Sequence, residues 1–382
     1  MTSTLRNDFL SIAAFAALIV LAVPLFFGFD GYELNTFARY LCLGMVAMAL
    51  ALSWGTAGIL NLGQAAPFGL GAYIMAMHLK LMNSTSMPGG MPDFMGWMNI
   101  ETLPWFWQPF HSLGFTLLAG LLFPAAMAFA IGAFIFKGRV SGVFVAIITL
   151  AVLVAIQLLF VEEQGYTGGQ NGLTGLALLT IFGVTIDNYS LNFYYLVAAS
   201  LLIVTVLATM LSRSKAGLVL RAVREDPNRA RFLGYDVSNY EILVFSVSAA
   251  IAGFAGMLYT LVLQFASPTY MSVSFSLSIV IWCAVGGRES LIGAAIGAIV
   301  VNMLEGRLSD VFVEAWLMVL GVLFIAIVLF LPRGLYGLAV SVLDAMRSQD
   351  KARHGTTAKT GEPTRPGESA STSPTASLSA GE

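Results

Sequence analysis

The chain is written in long apolar runs separated by short polar ones. A helix needs about 20 mostly apolar residues to cross a hydrocarbon core about 30 Å thick, because every backbone N–H and C=O must be satisfied within the segment. By that rule ten runs are expected to span: 9–27, 36–54, 57–78, 112–136, 140–160, 191–211, 240–263, 274–285, 291–303 and 315–331. The third is irregular, since ILNLGQAAPFGLGAYI carries Asn61, Gln64, Pro67 and several glycines. The eighth and ninth are short for a straight crossing. Arg6 ahead of the first run is like the start of a signal peptide. That run is long, holds Pro24 and has no small-residue cleavage site after it, so a retained helix is expected.

Composition supports this all-α, polytopic membrane reading. Of 382 residues, 58% are hydrophobic and only 10% charged, against roughly 25% charged in soluble domains. The net charge of -2 leaves no basic domain to neutralise phosphates, so nucleic acid is not an expected partner. Cys42 and Cys283 lie in apolar runs, and His78, His111 and His354 lack ligand spacing. No disulfide framework, metal site or cofactor is expected.

Lys and Arg set the orientation. Arg213, Lys215, Arg221, Arg224, Arg229 and Arg231 fall between the sixth and seventh spans. With ten spans, Arg6, Lys137, Arg139, Arg288 and Arg333 join them on one side, which is therefore the cytoplasmic side, together with both termini. The other side is mainly acidic, with Arg39, Lys80 and Arg307 as scattered basic residues. Phe94, Trp97, Trp105, Phe106 and Trp107 in the first long outer loop suit an interfacial aromatic belt. Residues 1–347 form the transmembrane domain. Residues 348–382, rich in Ser, Thr, Ala, Gly and Pro, read as a disordered cytoplasmic tail.

Several kinds of chemistry are missing. No G-x-x-x-x-G-K-[ST] loop occurs, so the chain is not expected to hydrolyse ATP by itself or to be an enzyme. No nucleophile–base set can be placed. The span centres read as nearly free of ionisable groups, unlike an ion-coupled pump. A neutral interior suits a neutral or zwitterionic solute and draws its energy from elsewhere.

The irregular third span and the short eighth and ninth lie five helices apart. They fit two five-helix halves of opposite orientation, and interrupted spans at matched positions point to a substrate path. Asn61, Gln64 and Phe68 are candidates there; the two amides suit either a polar solute or an interhelical hydrogen bond. The glycines also suit close helix packing. In the second long outer loop, YTGGQNGLTGL (166–176) reads as a shaped turn. Gly169, Gln170 and Asn171 are candidates for the vestibule, with a purely structural turn as the alternative.

Residues 212–237 read SRSKAGLVLRAVREDPNRARFLGYDV. Leu218, Val219, Leu220, Ala222 and Val223 form an apolar helix face opposite the basic residues. Asp226-Pro227 breaks the helix and a second turn starts at Asn228. Such a segment is expected to lie at the membrane surface and dock a cytoplasmic partner.

Five stretches, NLGQAAPFGLGAY, TGGQNGLTGL, SKAGLVLRAVREDPNRARFLGYDV, SAAIAGFAGMLY and AVGGRESLIGAAIGA, occur in that order. Over about residues 35–340 the chain resembles the permease subunits of bacterial ABC importers for branched-chain amino acids and urea. The resemblance implies a second, homologous permease, two ATPase subunits, an extracytoplasmic binding protein and the bacterial inner membrane. It assigns ATPase docking to Ala216, Arg221, Ala222, Arg224, Glu225, Asp226, Pro227 and Ala230. The 279–337 region is most similar to the urea branch, so urea is the expected solute. A branched-chain amino acid is the alternative, and a passive urea or polyol channel a third reading.

Overall fold

The structure, a computed structural model, describes residues 11–26, 30–84, 91–98, 100–181, 183–311, 321 and 334–337. The expected tenth span (apart from residue 321) and the tail at 348–382 lie outside them. So the count of ten spans and the placement of the termini remain expectations.

The apolar runs inside the described residues fold as helices; most keep their expected limits, but the third becomes helical only at Ala65 and continues to Ser84, and the ninth continues to Val311. The first is helical over 11–26, with a wide π turn at Leu18–Ala22 just before Pro24. Proline lacks the N–H that a regular turn would use, and a wider turn absorbs the gap. The helices that build the body of the described residues are α1 (Gly31–Ala57), α2 (Ala65–Ser84), α3 (Leu113–Lys137), α4 (Val143–Glu162), α5 (Leu191–Arg213), α6 (Lys215–Glu225), α7 (Pro227–Phe232), α8 (Val237–Leu263), α9 (Val273–Gly286) and α10 (Leu291–Val311), with short helical turns at Asp93–Trp97 and Gln164–Thr167 in the loops.

By length and composition six of these can cross a membrane: α1, α3, α4, α5, α8 and α10. The polar and glycine-rich α2 is buried along almost its whole length. With 14 residues, α9 is about 21 Å long, too short for a straight crossing. The all-α expectation needs one addition, an antiparallel hairpin pairing Thr180 with Thr185 and Ile181 with Val184.

At the centre stands α1, with α5, α8, α9 and α10 packed around it. On α3 and α4 the large side chains Phe123, Phe134 and Phe144 point outward. A helix that is apolar on its exposed face suits lipid rather than water.

One local design occurs twice, in opposite directions. Both α1 and α8 have 27 residues. Asn35 Nδ2 donates to Val262 O at 3.2 Å, and Ser248 Oγ to Ala49 O at 2.5 Å, so the two helices run antiparallel side by side. Each is closed by a left-handed residue, Gly58 (φ 75°) or Gln264 (φ 52°). An irregular segment then leads into α2 or α9. The glycines between α2 and α8 serve close approach: a Cβ on Gly71 would stand 1.9 Å from Gly253 O, and one on Gly256 1.9 Å from Phe68 O. Only residues without a side chain let backbones meet so closely.

Candidate functional site

The first break, 58–64, is held by amide hydrogen bonds. Asn61 Nδ2 donates to Gln64 Oε1 at 2.7 Å, and Asn61 Oδ1 accepts from Gly63 N at 2.9 Å. Gln64 Nε2 donates to Ser248 Oγ at 3.1 Å. Ser276 Oγ of α9 donates to Leu62 O. Both amides are buried, and these bonds join the break to α8, the interhelical arrangement left open by the sequence. Asn61 also lines a small open recess with Pro67, Met127, Thr149 and Phe245.

Phe68, fully buried one turn into α2, connects the two breaks. Its ring centroid lies 5.3 Å from Tyr259, 5.2 Å from Phe275 and 6.3 Å from Tyr270. Tyr259 closes on Tyr270 at 5.2 Å. Sequence reasoning selected Phe68 alone. Its partners sit on α8, α9 and the second break, and no local pattern pairs residues so far apart in the chain.

The loop at 166–176 packs on that second break. Gly168, Gly169, Gly172 and Gly175 all have positive φ. Leu173 and Ala266 exchange backbone hydrogen bonds of 2.7 and 3.2 Å, and a Cβ on Gly172 would meet Ala266 O at 2.1 Å. Gly169 is buried in this turn, while Gln170 and Asn171 are exposed. Thus Asn61 and Gln64 sit at one break, Gly169–Asn171 beside the other, and Phe68 with its aromatic partners between them.

Lys80, expected as a scattered outer charge, is instead buried. Its Nζ pairs with Asp93 at 2.7 Å and donates to Thr174 O at 2.7 Å. Asn83 Nδ2 donates to Gly175 O at 2.8 Å. A buried ammonium needs such partners, and these bind both long loops to the end of α2. The interior also departs from the charge-free expectation: Arg39 and Glu305 lie within α1 and α10.

The 212–237 segment folds as expected into two short helices. Ser214 caps α6 by accepting from Gly217 N, and Asp226 caps α7 by accepting from Asn228 N and Arg229 N. Proline at the first position of α7 is pre-set for a helix start. The apolar face divides, however. Leu220 and Val223 turn inward, Ala230 packs with Val223 and Val237, and Leu218 and Ala222 face out. Phe232 is 91% and Leu233 76% exposed. Neither stands out in the sequence, because the basic residues around them mark the whole segment as polar.

Of the eight expected docking residues, Arg221, Ala222, Arg224 and Glu225 are exposed, Ala216, Asp226 and Pro227 are half-buried and Ala230 is buried. Arg221 is tied to Ser212 O at 3.1 Å. Arg224 reaches inward: Nη1 donates to Gly55 O near the end of α1 at 2.5 Å and lies 3.5 Å from Glu289. Arg288 lies over the Trp54 ring at 5.5 Å, and a Cβ on Gly55 would meet Arg288 O at 1.9 Å. The end of α1, the turn between α9 and α10, and α6 therefore form one joint.

Comparison with known proteins agrees with this architecture. The chain is 28% identical to the high-affinity branched-chain amino acid transport system permease protein LivM of Salmonella typhimurium, covering 84% of the chain and 73% of the relative. The Escherichia coli protein of that name is also 28% identical, over 89% and 76%. A probable LivM of Methanocaldococcus jannaschii is 25% identical, over 76% and 89%. No solved structure matches the chain. These relatives are transport subunits rather than enzymes, and they favour the amino-acid alternative over urea. Residues 33–328 match the family described as branched-chain amino acid transport system / permease component, and the chain, a multi-pass membrane protein, belongs to that family of ABC-type permeases.

Proposed function

We propose that this chain is the permease subunit of an ATP-driven importer for branched-chain amino acids in a bacterial inner membrane. The family match over residues 33–328 carries this reading. The LivM relatives support the solute. A second, homologous permease completes the translocation unit, two ATPase subunits supply the energy, and an extracytoplasmic binding protein delivers the amino acid. Solute passes the 169–171 loop, the aromatic cluster around Phe68 and the Asn61–Gln64 break in turn.

The exposed side chains of α6 and α7 support an ATPase-docking role. Arg221, Ala222, Glu225, Phe232 and Leu233 meet the ATPase directly. Asp226 and Pro227 shape the α6–α7 corner, Ala216 and Ala230 seat it, and Arg224 links it to α1. Uptake of labelled leucine, isoleucine, valine and urea into proteoliposomes holding the whole complex tests the reading. It predicts ATP-dependent uptake of the amino acids and none of urea; urea uptake without amino-acid uptake would overturn it.

A further inference from the structure

We propose that a site for a zwitterionic amino acid lies where α1, α2, α8 and α10 meet, built on Arg39, Glu305, Tyr73 and Tyr259; this rests on the amino-acid reading above. The helix register brings these residues to one level. Arg39 is one turn along α1 from Asn35, whose side chain bonds Val262 O, so it is level with Tyr259 on the antiparallel α8. Thr260 Oγ1 donates to Ala72 O at 3.0 Å, which puts Tyr73 at that level on α2. The Tyr40 hydroxyl stands 3.1 Å from where a Cβ on Gly306 would be, which brings Glu305 to the same level on α10.

The layer is inside the membrane. Arg39 is about 12 Å along an α1 about 40 Å long, and the hydrocarbon core covers about 30 Å of that length. An ionisable residue there is costly, and its usual reason is a functional one. Yet no direct Arg39–Glu305 ion pair forms among the described residues. Four buried side-chain polar atoms in the described residues have no hydrogen-bond partner, and two of them, Arg39 Nε and Tyr73 OH, are in this layer. Tyr73 is 1% exposed, so its hydroxyl lies inside the protein, away from bulk water.

A free amino acid has the matching groups. Its carboxylate fits the planar donor fork of Arg39. Its ammonium fits Glu305 and the phenol faces. A branched apolar side chain fits the rings of Phe68 and Phe275. Urea has no charge to offer either ion, so the site distinguishes the two solute classes.

The test uses the full complex in proteoliposomes, with ATP inside and leucine-loaded binding protein outside. Arg39→Gln and Glu305→Gln are expected to slow leucine uptake about tenfold or more, and Arg39→Gln/Glu305→Gln to do no better than either. Tyr73→Phe removes an unpaired hydroxyl, so it is expected to slow uptake without lowering the melting temperature of the complex. Wild-type uptake with these variants unimpaired would overturn the site and leave the importer reading intact. Recovery of both melting temperature and uptake in the double variant would reduce Arg39 and Glu305 to a structural pair. A wild type that imports urea and no amino acid would overturn the reading itself, and the site with it.

Discussion

Arg224→Ala severs a side-chain hydrogen bond from α6 to the end of α1. Its main loss is the charge-assisted bond to Gly55 O at 2.5 Å, a class worth about 1.5–3 kcal/mol when buried. Arg224 is 31% exposed, so the lower end applies, about 1.5 kcal/mol. A cation at the last turn of α1 adds about 0.3–1 kcal/mol through the helix dipole. The Glu289 carboxylate is 70% exposed and 3.5 Å away, and contributes close to nothing. The total is about 2 kcal/mol, or roughly a 30-fold shift in the population with α6 seated on α1.

The consequence is expected in coupling rather than in folding alone. In proteoliposomes Arg224→Ala should reduce leucine imported per ATP hydrolysed, while Glu289→Gln stays near the wild type. The complex should melt only about 2 °C lower, since about 1 kcal/mol moves a chain of this size by roughly 1 °C. If both variants import with wild-type stoichiometry, or both fail alike, the Arg224–Gly55 link does not carry the motion.

Three further outcomes follow from the packing. Phe232→Asp should weaken capture of the ATPase by the purified permease about 10- to 100-fold, with the permease still folded because the ring is exposed; pull-down at graded ATPase concentrations checks this. Gly71→Val forces atoms into Gly253 O and should cost about 1–3 kcal/mol or more, read as loss of monodisperse protein in size-exclusion chromatography. Lys80→Met should release both long loops and leave Asp93 without its cation, at about 1–3 kcal/mol, with faster proteolysis near residues 91–98 and 166–176.

The apolar pattern placed the helices well because lipid enforces it: a run must be long, continuous and internally hydrogen-bonded. It set the limits of α3, α4, α5 and α8 within a turn. The α6–α7 corner was legible too, because Asp226 and Pro227 are local signals with local effects. The breaks were less so. Asn61 and Gln64 announced an irregular segment, but their engagement with Ser248, far along the chain, is a tertiary fact. Lys80 and Asp93 looked like surface charges, since nothing in their neighbours says that two loops fold over them. From its apolar run Arg39 reads as a residue near a span edge; α1 begins at Gly31, five residues before that run, because Asp30 caps it by accepting from Tyr32 N. The solute was least legible. Urea and an amino acid share the hydrogen-bonding groups that a polar path serves, and it is the likeness to LivM permeases, not a motif, that favours the amino acid.

The most direct test of the account is ATP hydrolysis by the complete complex in lipid, measured as its binding protein is titrated with leucine and, separately, with urea. The account predicts a rise in hydrolysis that saturates with leucine and no response to urea. A rise with urea and none with leucine would contradict it.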